Sequence, residues 1–146
     1  HQDASYWNPM EDYPNTVRIW VPLQKVTLEN GCMQFVPKSQ LAQEIWRHQS
    51  VGNDPRIHAL ELHPDERHRV QGVVACPLAA GGATVHGGYE MHYTAPNRSD
   101  IPRRALILIG GGKNVKRTSP RENSWQKDKK TARDERAKAF KEKASV

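Results

Sequence analysis

Apolar residues along this chain come in short runs separated by Gly, Pro and Asn, with little of the 3.6-residue period of a long helix. Thr16 to Leu23 (TVRIWVPL) is β-branched and alternating, which predicts a strand; Pro22 is tolerated at a strand end or sheet edge. Glu29-Asn30-Gly31 reads as a turn, because Asn-Gly accepts positive φ. Cys32 to Val36 follows as a second strand, expected to pair with the first as a hairpin. Ser39 can cap a short helix from Gln40 to about His48, with Leu41, Ile45 and Trp46 on one side, ended by Gly52-Asn53-Asp54-Pro55. Ile57 to Leu62 alternates weakly, His63 to Arg69 is a charged loop, and Val70 to Leu78 is an apolar run of strand length. Gly81-Gly82 then turns the chain into Ala83 to His86, Gly87-Gly88 kinks it, and Glu90 to Thr94 and Arg104 to Ile109 complete the extended segments. The pattern predicts an all-β sandwich or barrel, with a jelly roll among the candidates.

Charge separates the chain into two parts. Of the formal +6 over 146 residues, residues 113–146 carry 12 Lys/Arg against 5 Asp/Glu, which leaves 10 against 11 for residues 1–112. The body therefore gives no reason to invoke nucleic acid. The basic tail reads as a solvated end, either helical from about Gln126 to Lys143 or disordered. No apolar run approaches the ~20 residues needed to span a bilayer. Cys32 and Cys76 sit in apolar runs without C-x-x-C spacing, as small buried hydrophobes of a reducing, cytoplasmic compartment would. A chain opening His-Gln-Asp, with no initiating Met, is expected to be a fragment whose upstream portion, and any targeting segment in it, lies elsewhere.

Candidate chemistry lies at His1-Gln2-Asp3 and in the stretch from His92 to Arg104. On a strand, positions i and i+2 share a face, so His1 and Asp3 could ligate one ion while Gln2 points away. One further imidazole would complete a 2-His-1-carboxylate set, the arrangement that leaves one face of an iron(II) ion open. Alone, His-x-Asp is weak, since a surface His and a loop Asp give the same pattern. His48, His58, His63 and His68 read as ordinary solvent-exposed histidines. Tyr6, Trp7, Tyr13 and Tyr93 flank the candidate ligands and could line a pocket, although aromatics near a β core usually pack.

Five elements in order make the sequence resemble the phytanoyl-CoA dioxygenase-like family of iron(II)- and 2-oxoglutarate-dependent oxygenases. They are His1-Gln2-Asp3 with Tyr6-Trp7; Trp20-x-x-Leu23; Glu29-Asn30-Gly31-Cys32-Met33-Gln34-Phe35-Val36-Pro37-x-Ser39; Pro77-Leu78-x-Ala80-Gly81-Gly82; and His92-x-Thr94-x-Pro96-Asn97-x-Ser99 with Arg103-Arg104-Ala105. The resemblance, from His1 to about Ile109, implies a cupin-like double-stranded β-helix (jelly roll), incomplete at its N-terminus. It maps the iron ligands onto His1, Asp3 and His92, the distal carboxylate of 2-oxoglutarate onto Arg103, an assisting hydroxyl onto Thr94, and a pocket aromatic onto Trp20, which could equally be a core residue. A planar guanidinium suits a carboxylate because it can donate two charge-assisted hydrogen bonds. Arg104 should face the opposite way and is the second choice. His86 competes with His92 as distal ligand, but only His92 has the Pro-Asn and Arg at the family offsets, so His86 is placed in a second shell or beside the cosubstrate.

The implied activity is that of a dioxygenase: 2-oxoglutarate and O2 are consumed, succinate and CO2 are released, and an unactivated C–H bond of a small-molecule substrate is hydroxylated. Retention of Asp3 favours hydroxylation, since halogenating relatives carry a small residue there. Two alternatives stay open, a jelly-roll module that binds metal or ligand without turnover, and an adaptor acting through its basic tail. The family turn Pro-Gly-Ser-His is here Pro37-Lys38-Ser39-Gln40, a change that leaves the ligands intact. The upstream portion should carry the first core strand and covering helices, which puts the activity of these residues alone in doubt.

Overall fold

A computed structural model describes residues 1–6, 16–54 and 56–111. The expected tail helix, Trp7 and Tyr13 lie outside the described residues. The described chain is all-β, with short 3-10 turns and no α-helix. In chain order the strands are β1 (Val17–Pro22), β2 (Met33–Phe35), β3 (His48–Ser50), β4 (Leu60–Leu62), β5 (Val74–Cys76), β6 (Thr84–Gly87), β7 (His92–Thr94) and β8 (Ala105–Gly110). They form an antiparallel sheet β6-β1-β8, an antiparallel sheet β5-β2-β7 and the pair β3-β4. The inner faces of the two larger sheets meet through Trp20 and Ala105 on one side and Met33 and Ala75 on the other, with Val26, Cys32 and Leu78 between them. This is the jelly-roll arrangement that the sequence pattern admits.

Three expectations are corrected. The segments 17–22 and 33–35 do not form a hairpin: β1 pairs with β6 and β8, and β2 with β5 and β7. The Asn30-Gly31 turn is present, pinned by the Thr27 N–H to Asn30 Oδ1 (2.7 Å) and by Asn30 Nδ2 to the Lys25 carbonyl (3.0 Å), but it carries the chain from one sheet to the other. Nor is there a helix over 40–48. A 3-10 turn, Ser39–Ala42, is followed by extended chain entering β3. The reason lies in the backbone hydrogen bonds of 44–46. The Glu44 carbonyl accepts from Gln2 Nε2 (2.9 Å), the Trp46 N–H donates to Gln2 Oε1 (2.8 Å), and the Trp46 carbonyl lies 2.6 Å from His48 Nδ1. Groups that a helix would pair internally are already engaged by side chains. The charged segment 63–69 also differs from a simple loop, since Pro64–Arg69 winds into a 3-10 helix.

Edge strand β8 carries the run Leu106 to Ile109, all four residues of which are exposed. Periodicity therefore does not decide which face of this strand points inward.

Candidate metal centre

His1, Asp3 and His92 converge, with one candidate ligand atom from each lying within 4.8 Å of the others. His1 Nε2 is 3.5 Å and His92 Nε2 3.8 Å from Asp3 Oδ1, and the two imidazole centroids are 4.3 Å apart. A reciprocal backbone exchange brings the ends of this 91-residue separation together: His1 N donates to the His92 carbonyl (2.8 Å) and His92 N–H to the His1 carbonyl (3.0 Å). The Ala4 N–H to the Gly88 carbonyl (2.8 Å) extends the contact.

His1 and Asp3 do not share a face through strand alternation, because Asp3–Tyr6 is a 3-10 turn. What aims them is Gln2, which is fully buried. Its Nε2 donates to the Glu44 and Tyr89 carbonyls (both 2.9 Å), its Oε1 accepts the Trp46 N–H, and its backbone N–H donates to His48 Nε2 (3.1 Å). His48 is thus buried, contrary to the solvent-exposed reading of its sequence surroundings. With Nε2 accepting, Nδ1 is the protonated nitrogen and donates to the Trp46 carbonyl. Burial pushes the His48 imidazole down to about 4, so it is neutral and both nitrogens are used. His58 and His68 are exposed and His63 is half-buried.

His92, on β7 opposite Phe35, is held by its Nδ1 against the Glu90 carbonyl (2.9 Å), which leaves the Nε2 lone pair facing Asp3. Burial, reinforced by the neighbouring His1, pushes it down to about 4, so it is a neutral donor. Burial alone would raise the Asp3 carboxyl. The imidazoles of His1, His86 and His92 and the Arg18 guanidinium outweigh that and hold it well below the usual carboxylate range. An ionised carboxylate and at least one imidazole locked neutral are what a divalent ion of borderline hardness requires.

Two cavities meet at this cluster, and His1 and His92 line both. The first, about 340 Å³, also takes in Asp3, Arg18, Trp20, His86, Thr94 and Arg103. The structure therefore brings Arg103, Thr94 and Trp20 together with the three candidate ligands. The Arg103 guanidinium stands 5.6 Å over the Trp20 ring, a cation–π contact that orients it. Arg104 is exposed, its backbone bonded to Gln24 and Leu23. Gly31, at φ +86, lets this segment approach: a Cβ there would stand 2.6 Å from the Ala95 carbonyl oxygen and 3.5 Å from Arg103 Nε.

His86 lies beside His92, their ring centroids 4.4 Å apart, and points Nε2 at the other Asp3 oxygen, Oδ2, at 3.6 Å. Its buried Nδ1 has no hydrogen-bond partner among the described residues. An Arg guanidinium and a Thr hydroxyl around one small cavity fit an acidic, oxygen-rich ligand such as 2-oxoglutarate.

The second cavity, about 630 Å³, is walled mainly by apolar side chains, among them Phe35, Val36, Leu60, Leu62, Val73 and Met91, with Glu61 and Arg67 also lining it. Tyr93 joins this wall, while Tyr6 packs edge-on to His1 at 5.5 Å and accepts the Leu60 N–H.

Sequence reasoning missed Gln2, His48 and Arg18. For Arg18 a signal existed: it lies two residues before Trp20 on the same strand and so shares its inward face.

A profile of the phytanoyl-CoA dioxygenase (PhyH) family matches residues 1–105. The chain is 27% identical over 108 residues to mouse phytanoyl-CoA dioxygenase domain-containing protein 1, an alignment covering 74% of this chain and 37% of the mouse protein. Among solved structures it is similar to EvdO2 from Micromonospora carbonacea var. aurantiaca complexed with 2-oxoglutarate (34% identity, TM-score 0.63, covering 80% of this chain and 47% of that one). It is also similar to SnoK, a non-heme alpha-ketoglutarate-dependent carbocyclase from nogalamycin biosynthesis (25% identity, TM-score 0.55, 75% and 40%). The chain thus spans less than half the length of each of these relatives. The profile match, over most of the described residues and including all three converging candidate ligands, means that the chain belongs to the phytanoyl-CoA dioxygenase family.

Proposed function

We propose that the protein is an Fe(II)- and 2-oxoglutarate-dependent oxygenase that hydroxylates an unactivated C–H bond of a small-molecule substrate and releases succinate and CO2. The observation that carries this reading is the clustering of one donor atom each from His1, Asp3 and His92 where a polar and an apolar cavity meet. His1, Asp3 and His92 would hold the metal. Arg103 takes the distal carboxylate of the cosubstrate, Thr94 adds a hydroxyl to it, and Trp20 forms the wall over which Arg103 is laid. With iron(II) and 2-oxoglutarate bound, the chemistry supplied is oxidative decarboxylation coupled to oxidation of a C–H bond by O2. The chain positions the reactants and excludes water, and the apolar cavity receives the body of the substrate next to the cluster. Asp3 keeps a carboxylate where a halogenating enzyme leaves space, which supports hydroxylation.

The test is anaerobic addition of iron(II) and 2-oxoglutarate. Wild type is expected to show the weak visible charge-transfer band of the chelate, and His92→Ala to lose it. A band that persists in His92→Ala and vanishes in His86→Ala would exchange the roles of these two histidines. Absence of succinate release and O2 uptake in the full-length protein would instead leave a binding module without turnover.

A further inference from the structure

The two oxygens of Asp3 have different company. Oδ1 faces the two imidazoles of the candidate ligand set, His1 and His92, at 3.5 and 3.8 Å. Oδ2 faces the sheet wall, where Arg18 Nε stands at 3.2 Å and His86 Nε2 at 3.6 Å. Arg18 and His86 are direct Cα partners across the β1–β6 pairing, so one rung of the sheet presents both groups to the same oxygen. Arg18 is buried in doing so. A guanidinium withdrawn from water in mid-strand is costly unless an opposite charge compensates it, and the Asp3 carboxylate stands within ion-pair distance.

We infer that Arg18, assisted by His86, is a positioning residue that engages Oδ2 of Asp3 and so restricts Asp3 to one ligating oxygen. The inference rests on the oxygenase reading. A carboxylate can hold a cation through one oxygen or both. In a 2-His-1-carboxylate set the second oxygen would compete for a position that the cosubstrate chelate or O2 requires. Arg18 removes that competitor by giving Oδ2 a partner of its own. Its side chain lines the polar cavity from the strand floor, beside the carboxylate it holds.

The experiment is a double-mutant cycle between Arg18→Met and Asp3→Ala, with metal binding read by Co(II) absorption and cosubstrate binding by anaerobic titration of 2-oxoglutarate. Arg18→Met is expected to bind Co(II) at least as tightly as wild type, because a cation beside the site has gone. It should bind 2-oxoglutarate about tenfold more weakly. On the Asp3→Ala background the Arg18→Met effect should vanish. Arg18→Lys, which restores a cation without the planar fork, should recover part of the loss. An equal loss on both backgrounds would show Arg18 touching the cosubstrate directly and overturn the inference, as would an unchanged 2-oxoglutarate affinity or a loss of Co(II) binding in Arg18→Met. A crystal structure of Arg18→Met with Mn(II) tests the same point without the Asp3 variant: both Asp3 oxygens on the metal are expected, and one alone overturns it. Failure of wild-type protein to form the chelate at all would remove the oxygenase reading itself, whereas a normal wild-type chelate with an indifferent Arg18→Met removes only this inference.

Discussion

The two cavities that share the His1–His92 wall are built from opposite materials. One gathers an ionised carboxylate, two guanidinium groups, a hydroxyl and a buried imidazole into about 340 Å³, and the other surrounds nearly twice that volume with mostly aliphatic and aromatic side chains. Charges in the first are compensated locally, Arg18 by Asp3 and Arg103 partly by the Trp20 face. The second offers few directional partners. For the proposed oxygenase the difference implies that orientation is imposed on the polar side, while the apolar side selects by shape and hydrophobicity. Between them stands a partition one residue pair thick, which Gln2 and His48 brace from one end and Ser39, whose Oγ accepts the Met91 N–H at 2.8 Å, from the other.

The largest expected effect breaks the polar side. Arg103→Met removes the fork and leaves a partly buried carboxylate without its cation, a loss of about 4 kcal/mol, or on the order of a thousandfold in 2-oxoglutarate affinity. Binding of an apolar dye such as anilinonaphthalene sulfonate, which would occupy the other cavity, should not change. Equilibrium titrations of both ligands on one preparation check the pair of outcomes.

Next in size is an attack on the partition through pH. His48 titrates near 4 in the folded protein against about 6.5 unfolded, so the unfolded chain takes up the proton first as pH falls. The stability contributed by neutral His48 is complete above about pH 6.5 and is lost progressively down to about pH 4, a total of about 3 kcal/mol. Protonation also removes the acceptor for the Gln2 N–H. Urea unfolding of metal-free protein at pH 7 and pH 4 should show a drop in wild type that is smaller, by about that amount, in His48→Gln. Equal drops would mean that His48 is not held neutral. A smaller effect sharpens the apolar side: Val73→Trp, at a half-exposed position on its wall, should weaken the dye by about tenfold, or about 1.4 kcal/mol, and leave 2-oxoglutarate binding as it was.

The partition was also the least legible part of the sequence. Strand segments could be read because β-branched alternation and Gly/Pro punctuation are local properties, and Val17–Pro22 and Ala105–Gly110 fall close to where that pattern places them. The family elements likewise pointed to the residues that converge around Asp3. Pairing was not legible, because β1 and β2, consecutive in sequence, enter different sheets, and the Asn-Gly turn that suggests a hairpin serves as a crossover. The buried polar residues are hidden from local pattern for the same reason. Gln2, Arg18 and His48 look like surface side chains until their partners, up to 87 residues away, are placed beside them. The Leu41-Ile45-Trp46 spacing suggested a helix, but Gln2 takes the backbone groups on which a helix would depend.

The smallest effect concerns the turn before Ser39. Lys38 has a left-handed backbone there, at φ 69 and ψ 1. A residue with a Cβ spends about 1 kcal/mol to adopt that conformation, which Gly adopts freely, although Gly returns part of the gain as entropy of the unfolded chain. Lys38→Gly should therefore raise stability by about 0.5–1 kcal/mol, a few degrees in Tm. Lys38 lines neither cavity, so neither the dye nor 2-oxoglutarate should bind differently. A thermal melt with both ligand titrations distinguishes the cases. A gain in Tm with unchanged ligands identifies the turn as a strained brace behind Ser39 and Met91. A loss in Tm would show that the lysine side chain contributes more than its backbone conformation costs.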